Sequence, residues 1–292
     1  MSIRVGIVGL GKMGLPLAAR LIDKGFPVTG HRRHSMHDLV SLGGTPAASN
    51  REVAERSDIV ISCLPNDQAL HEAVMGENGL VEGAHPGLIV VEISMLTLRA
   101  KEQARQALEQ VGVTMLDCPI SGTPPMIAPG KTVFFGSGDR ETFDQALPVF
   151  EAITSNTFYL GPFGAGSKMK CVANLLVAVH NLAAAEAMVL STKAGLDPEM
   201  VMKVINPSIA GSAAFAARAP AMVARRYSPP LGSVSQVKEF ILIIRELTES
   251  LGVPTPMLDV AEHYYEDAVA SGHGEKDVAA LYALLSSYAG ME

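Results

Sequence analysis

Residues Ile3 to Gly14 read IRVGIVGLGKMG, and the order of that stretch decides the N-terminal fold. Ile3 to Gly9 is a short apolar run with β-branched residues, which predicts a buried strand. The pattern Gly9-x-Gly11-x-x-Gly14 follows at once. Leu15 to Lys24 then has helical spacing and stops at Gly25, a C-cap residue. Pro27 to His31 predicts a second strand. Together these make one βαβ unit of about 30 residues, the context the dinucleotide fingerprint requires. Gly9 makes the turn, Gly11 lets the backbone approach a pyrophosphate, and Gly14 lets the helix pack on the strand. The helix N-terminus offers unpaired N–H groups to the anion. A glycine-rich turn without a ligand is the alternative, and the βαβ context speaks against it.

The second strand runs into His31-Arg32-Arg33-His34. An NAD site usually places Asp or Glu here, on the ribose 2′-OH. No carboxylate stands between Thr29 and Met36, and two arginines favour a 2′-phosphate. The expectation is NADP, with NAD second; a basic surface loop is the competing reading, more for Arg33 than for Arg32. His31 and His34 flank the adenosine end.

Strands are predicted at Asp58–Leu64, Leu88–Ile93, Val113–Cys118, Thr132–Gly136 and Thr157–Leu160. Helices are predicted at Ser35–Leu42, Asp67–Met75, Thr97–Val111 and Arg140–Ile153. The alternation implies an α/β fold with a Rossmann-type, doubly wound, mostly parallel sheet. Ligands then sit beyond the carboxyl ends of the strands. Three loops lie there: Leu64-Pro65-Asn66-Asp67, Ser94-Met95-Leu96-Thr97, and Asp117-Cys118-Pro119-Ile120-Ser121-Gly122-Thr123-Pro124-Pro125. In the last, Ser121 and Gly122 are placed to hold a small carboxylate, or else form an ordinary Pro/Gly turn.

After Gly164 the strand signals stop. Residues 197–206, 210–224, 233–250, 255–271 and 275–288 read as helices. Asp197-Pro198 is a helix start, and Ser212 and Ser233 are further N-caps. The chain therefore divides into a cofactor domain, 1–162, and an all-helical domain, 163–292. The second opens with a long helix from Gly164, on which a homodimer partner, or a dimer-based tetramer, is expected to pack. Lys170, Asn174 and Asn181 fall within ~40° of one another on it. Buried polar groups need partners. Either the lysine snorkels beside two contact amides, or it is catalytic.

Hydrophobic residues make up 48% of the 292 and charged ones 18%, which supports a large core and argues against disorder. A net charge of −7 speaks against nucleic acid as a partner. Cys63, Cys118 and Cys171 sit in apolar runs without metal-ligand spacing, as reduced, buried thiols of a cytoplasmic protein would. No signal-peptide pattern is present at the N-terminus. Val172–Leu190 carries Asn174, His180, Asn181 and Glu186, a poor composition for a membrane span. No metal-ligand cluster is found.

At this point the chain resembles the β-hydroxyacid dehydrogenase family, along essentially its whole length. Gly9-Leu10-Gly11-Lys12-Met13-Gly14 resembles the family's cofactor loop, and Asp117-Cys118-Pro119-Ile120-Ser121-Gly122 its substrate loop. Gly164-x-Gly166-x-x-x-Lys170-x-x-x-Asn174 resembles its catalytic helix start, and Lys238-Glu239 its late Lys-Asp pair. The resemblance implies that Lys170 is the general acid/base and that Asn174 helps hold the substrate. It implies that Ser121, Gly122 and Thr123 bind the substrate carboxylate and that Lys238 lies near substrate and nicotinamide. Leu64, Pro65 and Ser94 would meet the nicotinamide ribose, and Arg32 stands where NADP-preferring members carry arginine. The sequence departs from the pattern at Thr123, which replaces a glycine, at Met95, where threonine is frequent, and at Glu239. The implied activity interconverts a small β-hydroxyacid and its semialdehyde by hydride transfer. Imine reduction, or a non-catalytic NADP-binding module, on the same scaffold are the alternatives; retention of Lys170 speaks against both. Ser212, Phe215 and Phe240 are candidates for the far end of the pocket.

Overall fold

The structure, a computed structural model, describes residues 2–33 and 35–291. The chain forms two compact units, 1–170 and 171–292, dividing inside one helix.

The first unit runs β1 (Val5–Val8), α1 (Gly14–Asp23), β2 (Val28–His31), α2 (His37–Ser41), β3 (Thr45–Pro46), α3 (Asn50–Glu55), β4 (Ile59–Ser62) and α4 (Asp67–Met75). It continues β5 (Ile89–Glu92), α5 (Leu98–Glu109), β6 (Thr114–Asp117), β7 (Ile120–Ser121), β8 (Val133–Gly136), α6 (Arg140–Ile153) and β9 (Thr157–Tyr159). The first six strands form one parallel sheet in the order β3-β2-β1-β4-β5-β6. Every residue of β1, β4 and β5 is buried, as expected when helices cover both faces. Alternation sends Val5, Ile7, Ile59, Ile61, Val91 and Leu116 to the α1–α6 side. Val8, Val60, Val90 and Met115 go to the α3–α4–α5 side.

The sequence reading treated Thr132–Gly136 and Thr157–Leu160 as further strands of one sheet. They form a separate three-stranded sheet, β7-β8-β9, in which β7 and β8 run antiparallel. The reason is local: β7 keeps the direction of β6, Asp117 facing Ser137 and Ile120 facing Phe134 in one register, and the chain reverses only between β7 and β8, so β8 runs antiparallel to both. A reciprocal pair of backbone hydrogen bonds between Asp117 and Ser137, both 2.9 Å, joins the two sheets. Three short elements, β3, α3 and β7, carry no periodic signal in the sequence.

The long helix is α7, Ala165–Lys193. It is apolar and long enough to cross a membrane by length and composition. One face of it is buried, with Lys170, Asn174, Asn181, Ala178, Ala185 and Met188 on it. Met169, Val172 and Leu176 stay exposed along it. The second unit adds α8 (Pro198–Ile205), α9 (Ala213–Val223), α10 (Val234–Leu251), α11 (Pro256–Ala268) and α12 (Leu281–Tyr288). Asp197, Ser212 and Ser233 cap α8, α9 and α10 as their positions predict. Tyr265 of α11 is fully buried, and its hydroxyl donates to the Ala178 carbonyl of α7 (3.5 Å).

Phe150 of α6 is fully buried and its ring lies 5.0 Å from Phe134 and 5.4 Å from Phe143. Phe150→Ala is expected to cost about 3–5 kcal/mol in urea unfolding. Phe158→Ala, removing a ring that is 54% exposed, is expected to cost little, and equal losses would contradict this placement of the core.

Candidate active site

The glycines of the first loop divide by what a side chain would meet. A Cβ at Gly9 would lie 2.1 Å from the Cys63 carbonyl oxygen, and φ there is +92°. A Cβ at Gly14 would lie 2.0 Å from the Gly9 carbonyl oxygen. Both glycines are required by the fold itself. A Cβ at Gly11 meets nothing within 4 Å, so the bare backbone there serves something outside the chain. No side chain caps α1, and its first turn carries no acid, so N–H groups are left for an anion. A dinucleotide pyrophosphate fits these residues. Lys12 is exposed and Met13 half-buried beside the loop. Leu10 is the exception, because its side chain is 1% exposed and belongs to the core. It can serve only through its backbone.

Arg32 is drawn to this loop. Its Nη1 donates to the Leu10 carbonyl (3.1 Å), its Nε to the Ser35 carbonyl (2.5 Å) and its Nη2 to Asp38 (2.8 Å). The carboxylate absent from Thr29–Met36 is thus supplied two residues later from α2, a contact the sequence reading missed. Arg33 is exposed, 3.9 Å from Glu72. His31 is oriented by an Nδ1–H bond to the Ala47 carbonyl (2.9 Å). His34 lies outside the described residues.

The loops after β4 and β5 are bound to each other. The Leu64 N–H donates to Ser94 Oγ (2.8 Å), and Thr97 donates to Asp67 through both N–H (3.1 Å) and Oγ1 (2.5 Å). Leu64, Pro65 and Ser94 are therefore neighbours at the sheet's carboxyl edge. Ser121 ends β7, and Gly122 follows with φ +141°; its Cβ would lie 2.9 Å from Thr132 Cγ2. Thr123 has an extended backbone, φ −113°, so the side chain that replaces glycine there is accommodated without strain.

In parallel strands the side chains of one register row share a face. The last row of β4, β5 and β6 is Ser62, Glu92 and Asp117, on the side covered by α5. Lys101 of α5 reaches into it. Its Nζ donates to Asp117 Oδ1 (2.9 Å) and to the Ser94 carbonyl (2.7 Å), and all these groups are fully buried apart from the nearly buried Ser94. Asp117 also accepts from the Ser167 N–H and Oγ, both at 2.8 Å. The sequence reading did not single out Lys101, although it sits in the apolar stripe with Ala104 and Leu108. Glu92 accepts from the Ser94 N–H (2.6 Å). Burial pushes its carboxyl above the usual carboxylate range, and Lys101 opposes this only in part.

Lys170 and Asn174 lie one turn apart on α7, 9% and 6% exposed. Asn174 Nδ2 is buried without a hydrogen-bond partner. In the second unit Lys238 is half-buried, 3.7 Å from Glu266. Two suggestions for the pocket are corrected. The Ser212 hydroxyl is engaged as the cap of α9, and Phe215 is buried in the helical core because it follows that cap by three residues. Among the thiols, Cys118 and Cys171 are buried, but Cys63 is only half-buried. Its thiol is pushed up to about 12 by desolvation and by Glu92.

Residues 4–161 match the family model described as the NAD binding domain of 6-phosphogluconate dehydrogenase, and residues 164–285 the one described as NAD-binding of NADP-dependent 3-hydroxyisobutyrate dehydrogenase. The chain belongs to the β-hydroxyacid dehydrogenase family. It is 32% identical to L-threonate dehydrogenase of Cupriavidus necator, over 96% of this chain and 95% of that one. It is 30% identical to NAD-dependent L-serine dehydrogenase of Pseudomonas aeruginosa, over 96% and 97%. A solved 3-hydroxyisobutyrate dehydrogenase of Salmonella typhimurium superposes with a TM-score of 0.89 at 28% identity, covering 97% of this chain and all of that one. As a member of the family the chain is an NAD(P)-dependent oxidoreductase, and its reaction is of the hydroxyacid and semialdehyde dehydrogenase kind.

Two outcomes follow for the site. Gly9→Ala is expected to lower the melting temperature. Gly11→Ala is expected to leave it in place while weakening dinucleotide binding measured by fluorescence; unchanged affinity would remove the pyrophosphate from Gly11. The second outcome concerns Glu92, whose carboxyl titrates above the ordinary 4.5 in the fold. The stability this brings is complete below the unfolded value and is lost as pH rises through the folded one. Glu92→Gln, neutral throughout, is expected to melt near wild type at low pH and progressively above it as pH increases. A difference that does not change with pH would contradict the raised value.

Proposed function

We propose that the protein is an NADP(H)-preferring dehydrogenase interconverting a small β-hydroxyacid and its semialdehyde, with Lys170 as general acid/base. The observation that carries this is the pair Lys170 and Asn174, an amine and an unpartnered amide N–H buried on consecutive turns of one helix face. A buried N–H donor without an acceptor is costly, and a substrate oxygen supplies the acceptor.

In this reading the substrate carboxylate lies on Ser121, Gly122 and Thr123, and Lys238 adds a second cation. A bound nicotinamide would supply the chemistry of hydride exchange with the carbinol carbon. In oxidation Lys170 Nζ takes the hydroxyl proton. In reduction its ammonium returns a proton to the carbonyl oxygen. Asn174 holds that same oxygen. Leu64, Pro65 and Ser94 would hold the nicotinamide ribose, and Arg32, oriented by the Leu10 carbonyl, would hold the 2′-phosphate together with His31 and Arg33. Asp38 on Arg32 favours a second reading, in which a carboxylate accepts from the ribose hydroxyls and NAD is preferred.

The test follows nicotinamide absorbance with NADPH and NADH over a panel including L-threonate, L-serine, 3-hydroxyisobutyrate and small semialdehydes. Wild type is expected to turn over a panel member with NADPH. Lys170→Ala is expected to lose ~10²–10⁴-fold in rate and keep cofactor affinity. A mutant equal to wild type on a true substrate would remove the acid/base role. A preference for NADH would transfer the 2′ site to Asp38.

A further inference from the structure

We propose that Asp117, fixed by Lys101, is the positioning residue for Lys170, acting through the first turn of α7. This rests on the reading of Lys170 as the acid/base. The first turn of a helix has N–H groups without partners inside the helix, and it frays unless something takes them. In α7 they are taken from the sheets. The Gly166 N–H donates to Ser137 Oγ (2.9 Å), and the Ser167 N–H donates to Asp117 Oδ2 (2.8 Å). Ser167 Oγ adds a third grip on Asp117 Oδ1 (2.8 Å). Gly166 has no room for a side chain, since a Cβ would lie 2.2 Å from the Phe135 carbonyl oxygen and 2.6 Å from that of Asp117. The turn is seated on the backbone of β6 and β8.

Nothing in that turn supplies negative charge of its own, because the first turn of α7 has no acidic residue. Asp117 provides it from fifty residues earlier, at the positive end of the helix dipole. Lys101 holds the carboxylate in place and is itself anchored on the Ser94 carbonyl. Ser137 is anchored in turn by its backbone exchange with Asp117 and by its hydroxyl bond to the Asp117 carbonyl (2.8 Å). Ser167 precedes Lys170 by one turn. Any loosening of the Asp117 contacts is a displacement of the amine, and small displacements of an acid/base are expensive in rate.

The test is a cycle between Ser167→Ala and Lys170→Ala, with Asp117→Asn as the stronger variant. Ser167→Ala removes one grip and leaves the Asp117–Lys101 pair whole, so it is the variant that keeps the fold. Melting temperature and cofactor Kd report folding. The readout is the single-turnover hydride-transfer rate. Ser167→Ala is expected to lower it ~5–10-fold, the worth of one hydrogen bond, with the cofactor KM unchanged. In the Lys170→Ala background the same substitution is expected to have no effect, because the group it positions is gone. An equal loss in both backgrounds, or no loss in the first, would overturn the positioning role. A Lys170→Ala enzyme as fast as wild type would show instead that the acid/base reading had failed. Asp117→Asn is expected to lose more rate than Ser167→Ala; if it retained wild-type rate with Kd intact, the proposal would fall.

Discussion

A carboxylate taken out of water costs several kcal/mol unless its oxygens are fully engaged. Asp117 is fully buried, and its side chain accepts from Lys101 and from Ser167 at two atoms. Those donors come from α5 and α7, while its backbone exchanges bonds with Ser137, the residue after β8. Meeting the demands of this one group therefore ties the end of the parallel sheet, the second sheet and the long helix into one arrangement. The lysine that neutralises it also accounts for the neighbouring loop, since Lys101 holds the Ser94 carbonyl while Ser94 Oγ holds Leu64.

The parts of this arrangement legible in sequence were those with a period. Four-residue buried strands and short amphipathic helices declared themselves by β-branched runs and 3.6-residue spacing. Most predicted elements coincide with observed ones, Asp67–Met75 and Arg140–Ile153 at both ends. What was not legible was register. Nothing in the order of residues states that Ser62, Glu92 and Asp117 share a row, because that depends on how three strands align. Lys101 lacked an explanation for the same reason: its partner is sixteen residues away on another element. The division of the strands into two sheets depends on the reversal between Ser121 and Val133, which brings β8 antiparallel to β7 and which no periodicity marks.

The site was legible where backbone constraint coincided with a motif, and less so where side-chain direction mattered. The glycine pattern identified the loop but could not say that Leu10 points into the core, or that only Gly11 among the three faces open space. Likewise Ser212 and Phe215 were placed in the correct helix start, yet capping and burial occupy both. Asp38 lies two residues beyond the Thr29–Met36 window that the motif's spacing defines, and α2 returns the chain toward Arg32.

Gly122 and Thr123 stand side by side just after β7 under opposite constraints. At 122 the positive φ and the adjacent Thr132 exclude any side chain. At 123 the extended backbone admits nearly all of them. Evolution is thus offered one fixed and one variable position within a single turn. A lineage can alter bulk and polarity at 123 without disturbing the backbone turn at 122. Neighbouring chemistries can diverge on this scaffold through changes that the folding equilibrium hardly registers.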